Sequence, residues 1–177
     1  LLFWHNHFAV EMRMVPSASA FYHYWKVLSD YSLGNFKTFT RQITVDTAML
    51  YYLNGRLNRK GAPDENYARE LQELFTLGKG PDSQYTEDDV KAAARVLTGF
   101  TINYTTTPFS SIFNANRHDT DDKQFSSFFD NTVIKGRTGI NAGMDELNDM
   151  LDMIFSKEEV SKHICRKLYQ YFVYYKI

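Results

Sequence analysis

Apolar residues recur at helical spacing along most of the chain, most clearly between residues 63 and 100. One stripe comprises Tyr67, Ala68, Leu71, Leu74 and Phe75, and the next comprises Val90, Ala93, Ala94 and Leu97. Glycines follow both stripes, at Gly78 and Gly99, where helices commonly end. Asp64 is predicted to cap the first helix, and Thr86 with Asp89 to form a capping box before the second. This stretch therefore predicts two amphipathic helices that organise a helical core.

Similar spacing predicts helices on both sides of this pair. They are expected at residues 1–15, 17–30, 35–43 and 47–53, from Gly143 onward, and after Ser156. The first is apolar on nearly all faces, which indicates burial on both sides. The last is expected to begin with a capping box of Ser156 and Glu159 and to bury Val160, Ile164, Leu168, Tyr171, Phe172 and Tyr175.

The helical period is lost between residues 101 and 139, where β-branched and aromatic residues alternate with Asn, Asp and Thr. Such composition favours short strands, and long irregular segments often carry function. The predicted fold is mainly α: a multi-helix orthogonal bundle with a short β-hairpin or irregular insertion around residues 101–139. We expect residues 1–177 to form a single domain, as a fragment of a longer chain.

Composition and charge narrow the function classes. The formal net charge of −1 gives no electrostatic footprint for nucleic acid. The single cysteine, Cys165, excludes an intrachain disulfide, and its place near the apolar face of the last helix predicts a packing role. No apolar run is long enough to predict a transmembrane segment.

Several short motifs together resemble a bacterial family, domain of unknown function 1800. They are FWHNHF (residues 3–8), LGNF (33–36), NRKG (58–61), ENYARE (65–70), LFTLG (74–78), YTEDDV (85–90), LTGF (97–100), HD (118–119), GRTG (136–139) and KLYQYFV (167–173). The resemblance implies a mostly helical fold within longer proteins that often carry export signals, so a periplasmic or otherwise exported location. It also implies a sulfatase-like companion protein, while no activity is established for the family.

The helix at the start of the chain carries His5, Asn6 and His7. Consecutive helical residues point about 100° apart, so this triplet does not reproduce a His-Asn-His nuclease motif. His7 and Glu11, four residues apart, could share a face as a metal pair. Alternatively, both histidines are buried and hydrogen-bonded, with Asn66, Arg69 and Glu70 as candidate partners.

Glu70 borders the apolar stripe of its helix, so its carboxylate is predicted to be half-buried and to need a cation or a metal. Its neighbours Glu65, Arg69 and Glu73 are spaced for solvated i,i+4 ion pairs. Alternatively, Asn66, Arg69 and Glu73 orient Glu70 as a general base.

His118 and Asp119 lie in the irregular segment, where a His-Asp pair can ligate a divalent metal if further ligands converge on it. The alternative is an exposed His beside a turn-forming Asp. The candidate metal set is His5, His7, Glu70, His118 and Asp119, with Glu70 and His118 as candidate catalytic residues. Lys123 and Arg137 are either anion binders or, as we favour, surface charges.

Two functional hypotheses follow. The first is an exported helical protein that binds or assembles with a sulfatase-like partner protein. The alternative is a hydrolase that uses a divalent metal, the only cofactor considered, held by the His and carboxylate set.

Overall fold

A computed structural model of the chain describes residues 1–174, which fold mainly into α-helices, as predicted. Within this range the helices are α1 (Leu2–His7), α2 (Ala18–Asp30), α3 (Phe36–Thr44), α4 (Thr47–Tyr52), α5 (Asn66–Glu70), α6 (Glu87–Val96), α7 (Ala142–Phe155) and α8 (Glu158–Phe172). A π-helical turn, Leu71–Thr76, continues α5. No helix of the described part is both long and apolar enough to cross a membrane.

The predicted β insertion is present as two small antiparallel sheets. Strands β1 (Phe100–Asn103) and β2 (Ser110–Phe113) form a hairpin, with Phe100 opposite Phe113. Strands β3 (Lys123–Gln124) and β4 (Val133–Ile134) form the second pair.

Side-chain caps explain where several helices begin. Asn35 accepts the N–H of Thr38 at the start of α3, and Asp46 accepts those of Ala48 and Met49 at the start of α4. The predicted capping box of Thr86 and Asp89 opens α6 with both reciprocal bonds present. Each cap satisfies backbone donors that have no partner inside the helix.

Asp89 also ties α6 to the β insertion. Its carboxylate accepts the backbone N–H and the hydroxyl of Ser126, both at 2.7 Å. Because Asp89 is buried, these bonds replace the water that its carboxylate loses. The insertion is therefore anchored to the helical core at a residue that the sequence presents only as a cap.

A continuous apolar core joins α1 through the start of α8. Fully buried aromatic residues from separate elements lie in it, among them Phe8, Tyr24, Phe39, Phe125 and Phe129. This accounts for the high aromatic share of the sequence.

The helix predicted at residues 1–15 is wrong in extent. Helix α1 ends at His7, and a 3-10 turn follows at Met12–Met14. The segment is not buried on both sides, since Leu2, Met12 and Met14 are exposed. Tyr24 explains the early end, because its hydroxyl donates to the Phe8 carbonyl at 2.8 Å and so provides a partner outside the helix.

Helix α8 also departs from the prediction. Ser156 does not cap it; its hydroxyl donates to the carbonyl of Met153 at the end of α7. Val160 and Ile164 are buried, whereas Tyr171 and Phe172 are exposed and Tyr175 lies outside the described residues. Cys165 is exposed, not packed in the core. The buried residues of helix α8 therefore lie in its first half.

Candidate functional site

The π-helical turn after α5 is the local feature that builds the candidate site. A π turn takes more residues than an α turn and often occurs at functional sites. The extra residue rotates the following side chains about the helix axis, so Leu74, predicted to be buried, is 46% exposed. Gly78 ends the helix with a φ of +81°, a left-handed conformation that favours glycine.

This ending leaves two backbone carbonyls free of helical hydrogen bonds. The N–H of Gly78, which would donate to Leu74 in an α-helix, donates to the carbonyl of Gln72 at 3.2 Å. The Leu74 carbonyl accepts instead from His163 Nε2 and Lys167 Nζ of α8, both at 3.1 Å. The Phe75 carbonyl accepts from His7 Nε2 of α1, also at 3.1 Å. The π-helical turn therefore connects α1 and α8 through hydrogen bonds to three ionisable side chains.

These contacts define the proton positions on His7. A carbonyl oxygen only accepts, so the Nε2 atom that faces Phe75 carries the proton. The other ring nitrogen, Nδ1, then accepts, and Lys167 Nζ donates to it at 3.1 Å. Neutral His7 thus bridges the backbone and the lysine amine.

Two adjoining cavities open around this amine. The first, of about 270 Å³, is lined by Phe3, Asn6, His7, Lys167, Gln170 and Tyr171. The second, of about 240 Å³, is lined by Asn6, His7, Ala9, Tyr52, Leu53, Glu70, Leu74, Phe75 and Lys167. Asn6, His7 and Lys167 line both, so we call the two cavities together the α1–α8 cleft.

Burial sets the protonation of the groups in the cleft. Burial and, to a smaller extent, the nearby Lys167 together lower the pKa of His7 to about 3. Burial also lowers the pKa of the His163 imidazole and of the Lys167 amine. The pKa of Glu70 is raised by burial and by repulsion from Glu73. All four shifts favour uncharged forms, as in many reactive sites.

A second cluster of ionisable groups lies in the core and is closed to solvent. The side chains of His118, Lys123 and Glu146 are fully buried. Glu146 accepts from His118 Nε2 at 3.0 Å, from Lys123 Nζ at 2.7 Å and from the backbone N–H of Arg137 at 2.7 Å. Burial raises the pKa of Glu146, but these three bonds outweigh it and the pKa is lowered. With its carboxylate fully paired, the cluster stabilises the fold.

This cluster corrects two predictions. Lys123 is not a surface charge, because its amine bonds both Glu146 and the carbonyl of Asp119 inside the core. His118 is not an exposed loop residue; its Nδ1 lies 2.8 Å from the Thr98 carbonyl. Arg137 is partly exposed and ion-paired with Asp149.

His118 and Asp119 are adjacent in sequence, but their side chains have different partners. Asp119 accepts from Arg95 Nε at 2.7 Å and from Arg95 Nη2 at 3.0 Å. Burial raises the pKa of Asp119, but the hydrogen bonds from Arg95 and from the Asp121 backbone N–H, together with the nearby positive charges, lower it overall. The pair is therefore divided between the Glu146 cluster and a bidentate ion pair with α6.

The five predicted metal ligands are distributed over several environments. His7 and Glu70 line one cavity of the cleft, whereas His5 contacts the Tyr24 hydroxyl at 3.0 Å. No group of three or more His, Cys, Asp or Glu side chains in residues 1–174 is placed to hold a metal ion. The metal roles, like the catalytic roles of Glu70 and His118, stay predictions.

The hydrogen bonding predicted for the start of the chain is partly confirmed. His7 is buried and bonded to the backbone, as expected, although its partners are Phe75 and Lys167 and not Asn66, Arg69 or Glu70. Arg69 pairs with Glu65 at 3.0 Å, one of the predicted i,i+4 pairs. It also pairs with Glu87 of α6, while Glu73 pairs with Lys79.

Sequence reasoning missed the two residues that matter most to these clusters. Lys167 lies three residues after Ile164 and four before Tyr171, so it occupies the predicted apolar stripe of α8. Glu146 lies four residues before buried Met150 on α7. A charged residue inside an apolar stripe must find a partner or an open cleft, and that signal identifies both.

Together, the fold and the cleft define a mainly α protein with a partly buried amine between two helices. The chain belongs to the family described as protein of unknown function (DUF1800), whose model matches residues 1–177. No curated protein and no solved structure matches the chain. Membership confirms the resemblance drawn from the motifs and assigns no reaction.

Proposed function

We propose that the protein works by binding another protein through an exposed aromatic surface at the ends of α1 and α8. We define this aromatic surface as Leu2, Tyr169, Tyr171, Phe172 and Val173, all of which are exposed. The proposal rests on one observation: these apolar side chains are exposed to solvent and lie next to one another.

Ring contacts make this surface continuous across the two helices. Phe3 of α1 lies 5.4 Å from Tyr171 and 5.9 Å from Phe172 of α8, measured between ring centroids. Tyr171 and Phe172 are themselves 4.8 Å apart. The rings thus extend the core outward without being covered by it.

Contiguous exposed aromatic residues are typical of protein interfaces. A soluble protein gains free energy by covering such a patch, and aromatic residues dominate the affinity of many complexes. The partner we propose is a sulfatase-like protein in an exported compartment. Both the partner and the compartment are supported by the family resemblance alone. The alternative function, a divalent-metal hydrolase, has no specific observation in its favour.

The test is calorimetric titration of the purified protein with a purified sulfatase-like protein, the partner that the family resemblance implies. Phe172→Asp should weaken binding by more than about tenfold, since a central aromatic residue often contributes over 2 kcal/mol. Tyr22→Asp is the matched control, because Tyr22 on α2 is 72% exposed and Phe172 is 68% exposed. Tyr22→Asp should bind within about twofold of the unchanged protein.

Equal binding by the Phe172→Asp variant would place the contact elsewhere. No binding by the unchanged protein would reject the proposed partner. Sedimentation of the protein alone supplies the remaining outcome: self-association that Phe172→Asp abolishes would show that the aromatic surface joins two copies of this chain.

A further inference from the structure

The amine of Lys167 occupies an unusual position between the two cavities of the α1–α8 cleft. The Lys167 side chain lines both cavities, so a molecule bound in either one would lie beside this side chain. Its two hydrogen-bond partners, His7 Nδ1 and the Leu74 carbonyl, are uncharged. Within residues 1–174 no carboxylate forms an ion pair with it, and burial alone shifts its pKa downward.

The two hydrogen bonds also orient the amine. A neutral lysine has two N–H bonds and one lone pair, and both N–H bonds are used by His7 and Leu74. The lone pair of the nitrogen then points in the remaining tetrahedral direction, away from both acceptors. An oriented lone pair on an uncharged amine is the requirement for nucleophilic attack.

We propose that Lys167 is a nucleophile that forms an imine with a small aldehyde or ketone bound in the α1–α8 cleft. The nitrogen adds to the carbonyl carbon, the C=O π electrons move to oxygen, and one N–H proton transfers to that oxygen. The resulting carbinolamine loses its hydroxyl as water. The net reaction joins amine and carbonyl compound to give an imine and one water.

Glu70 is placed to move the protons of the second stage. It lines the same cavity as Lys167, and burial with repulsion from Glu73 favours its protonated form. A protonated Glu70 donates to the leaving hydroxyl, and the carboxylate that remains takes the second proton from nitrogen. Glu70 is thus restored, as general acid–base catalysis requires.

The cavity walls indicate the class of carbonyl compound. Phe3 and Tyr171 provide aromatic faces, and Asn6 and Gln170 provide amide donors and acceptors. This lining suits a small molecule with an apolar or aromatic body and one or two polar substituents. The titratable groups around the Lys167 side chain are His7 on α1, Glu70 at the end of α5 and His163 on α8.

The test is reductive trapping of the imine in the intact protein with benzaldehyde and sodium cyanoborohydride at neutral pH. Peptide mass mapping gives the rate of adduct formation at each lysine. The matched comparison is Lys162 on the same helix, whose amine pairs with Glu158 and whose pKa that hydrogen bond raises. Lys167 should react at least about tenfold faster, because each unit of pKa difference changes the free-amine fraction about tenfold.

Substitutions test the role of Lys167 as the nucleophile separately from the role of Glu70 as the proton donor. Lys167→Arg should lose the fast adduct while keeping a long, nitrogen-bearing side chain, and Lys162→Arg should retain the fast adduct at Lys167. Glu70→Gln should slow the reaction of Lys167 by about tenfold or more and leave that of Lys162 unchanged. Trapping at Lys167 no faster than at Lys162 would overturn the proposal, and an unchanged rate in Glu70→Gln would remove Glu70 from it. Tyr171 belongs to both the cleft and the aromatic surface, but trapping is measured on the protein alone, so its outcome does not depend on whether a partner protein binds.

Discussion

Replacement of Glu146 by glutamine should destabilise the protein strongly, because Glu146 is the anion of the buried His118–Lys123–Glu146 cluster. Its two oxygens accept from His118, Lys123 and the Arg137 backbone. Glutamine keeps the size of the side chain but removes the negative charge. The ammonium group of Lys123 would then lie in the core without a counter-ion, and the acceptors left to it would be the Asp119 carbonyl and a single uncharged amide oxygen.

The magnitude follows from burial. Both side chains of the Lys123–Glu146 pair are fully buried, and the charged atoms are 2.7 Å apart. Removal of one member of a buried pair costs about 3–5 kcal/mol, because the other charge stays desolvated. Domains are typically stable by about 5–15 kcal/mol, so this is a large fraction of the total. For a chain of this size the loss corresponds to a fall in Tm of about 10 °C.

Urea unfolding followed by circular dichroism measures this loss. The matched control is the double variant Lys123→Met with Glu146→Gln, which removes both charges and should be more stable than Glu146→Gln alone. A Glu146→Gln variant within about 1 kcal/mol of the unchanged protein would refute the reasoning. So would a double variant less stable than the single one.

Two further predictions concern the cleft. Gly78→Ala should lower the free energy of unfolding more than Gly61→Ala, by about 1 kcal/mol or more in urea unfolding. Both glycines have a φ near +80°, so the backbone strain of an alanine is the same at the two positions. A Cβ at Gly78 would lie 2.5 Å from His163 Nδ1, whereas a Cβ at Gly61 has no neighbour within 4 Å. Equal losses of unfolding free energy in the two variants would contradict this prediction. Between pH 6.5 and about 3 the unfolded chain binds a proton at His7 that the folded chain excludes, so stability should fall by about 2 kcal/mol from pH 7 to pH 5. His7→Gln should reduce this fall by about 2 kcal/mol, and a fall unchanged in His7→Gln would be the contrary result.

The helices were predictable wherever the determining contacts are local. Asn35, Asp46 and Thr86 each cap a helix by binding backbone groups within three residues along the chain. Such signals are complete within a short window of sequence. The hairpin of β1 and β2 was predictable for the same reason, since its composition is locally distinct.

The clusters depend on contacts that no local pattern contains. His7 and Lys167 are 160 residues apart, and Lys123 and Glu146 are 23 apart. The sequence therefore identified His7 and Glu70 as candidate metal ligands, but it did not indicate the contact of His7 with Lys167. Lys123 was misassigned because a charged residue in an irregular segment is usually exposed, and its buried partner was not visible.

The exposed end of α8 shows a different limit. Tyr171 and Phe172 continue an apolar pattern, and periodicity predicts that such residues are covered. The pattern does not identify the surface that would cover Tyr171 and Phe172. In the described part of the chain they pack against Phe3 and one another and remain exposed.

The protonation of the Lys167 amine is the most direct test of the account, because the chemistry assigned to the α1–α8 cleft depends on an amine without a counter-ion. Carbon NMR of the lysine Cε signals, recorded across alkaline pH, gives each amine its own titration curve. Lys167→Arg assigns the signal, and Lys162 on the same helix provides the reference. We predict that Lys167 titrates at a lower pH than Lys162, whose pKa is raised by its bond to Glu158. A Lys167 curve that coincides with that of Lys162, or lies above it, would contradict the account.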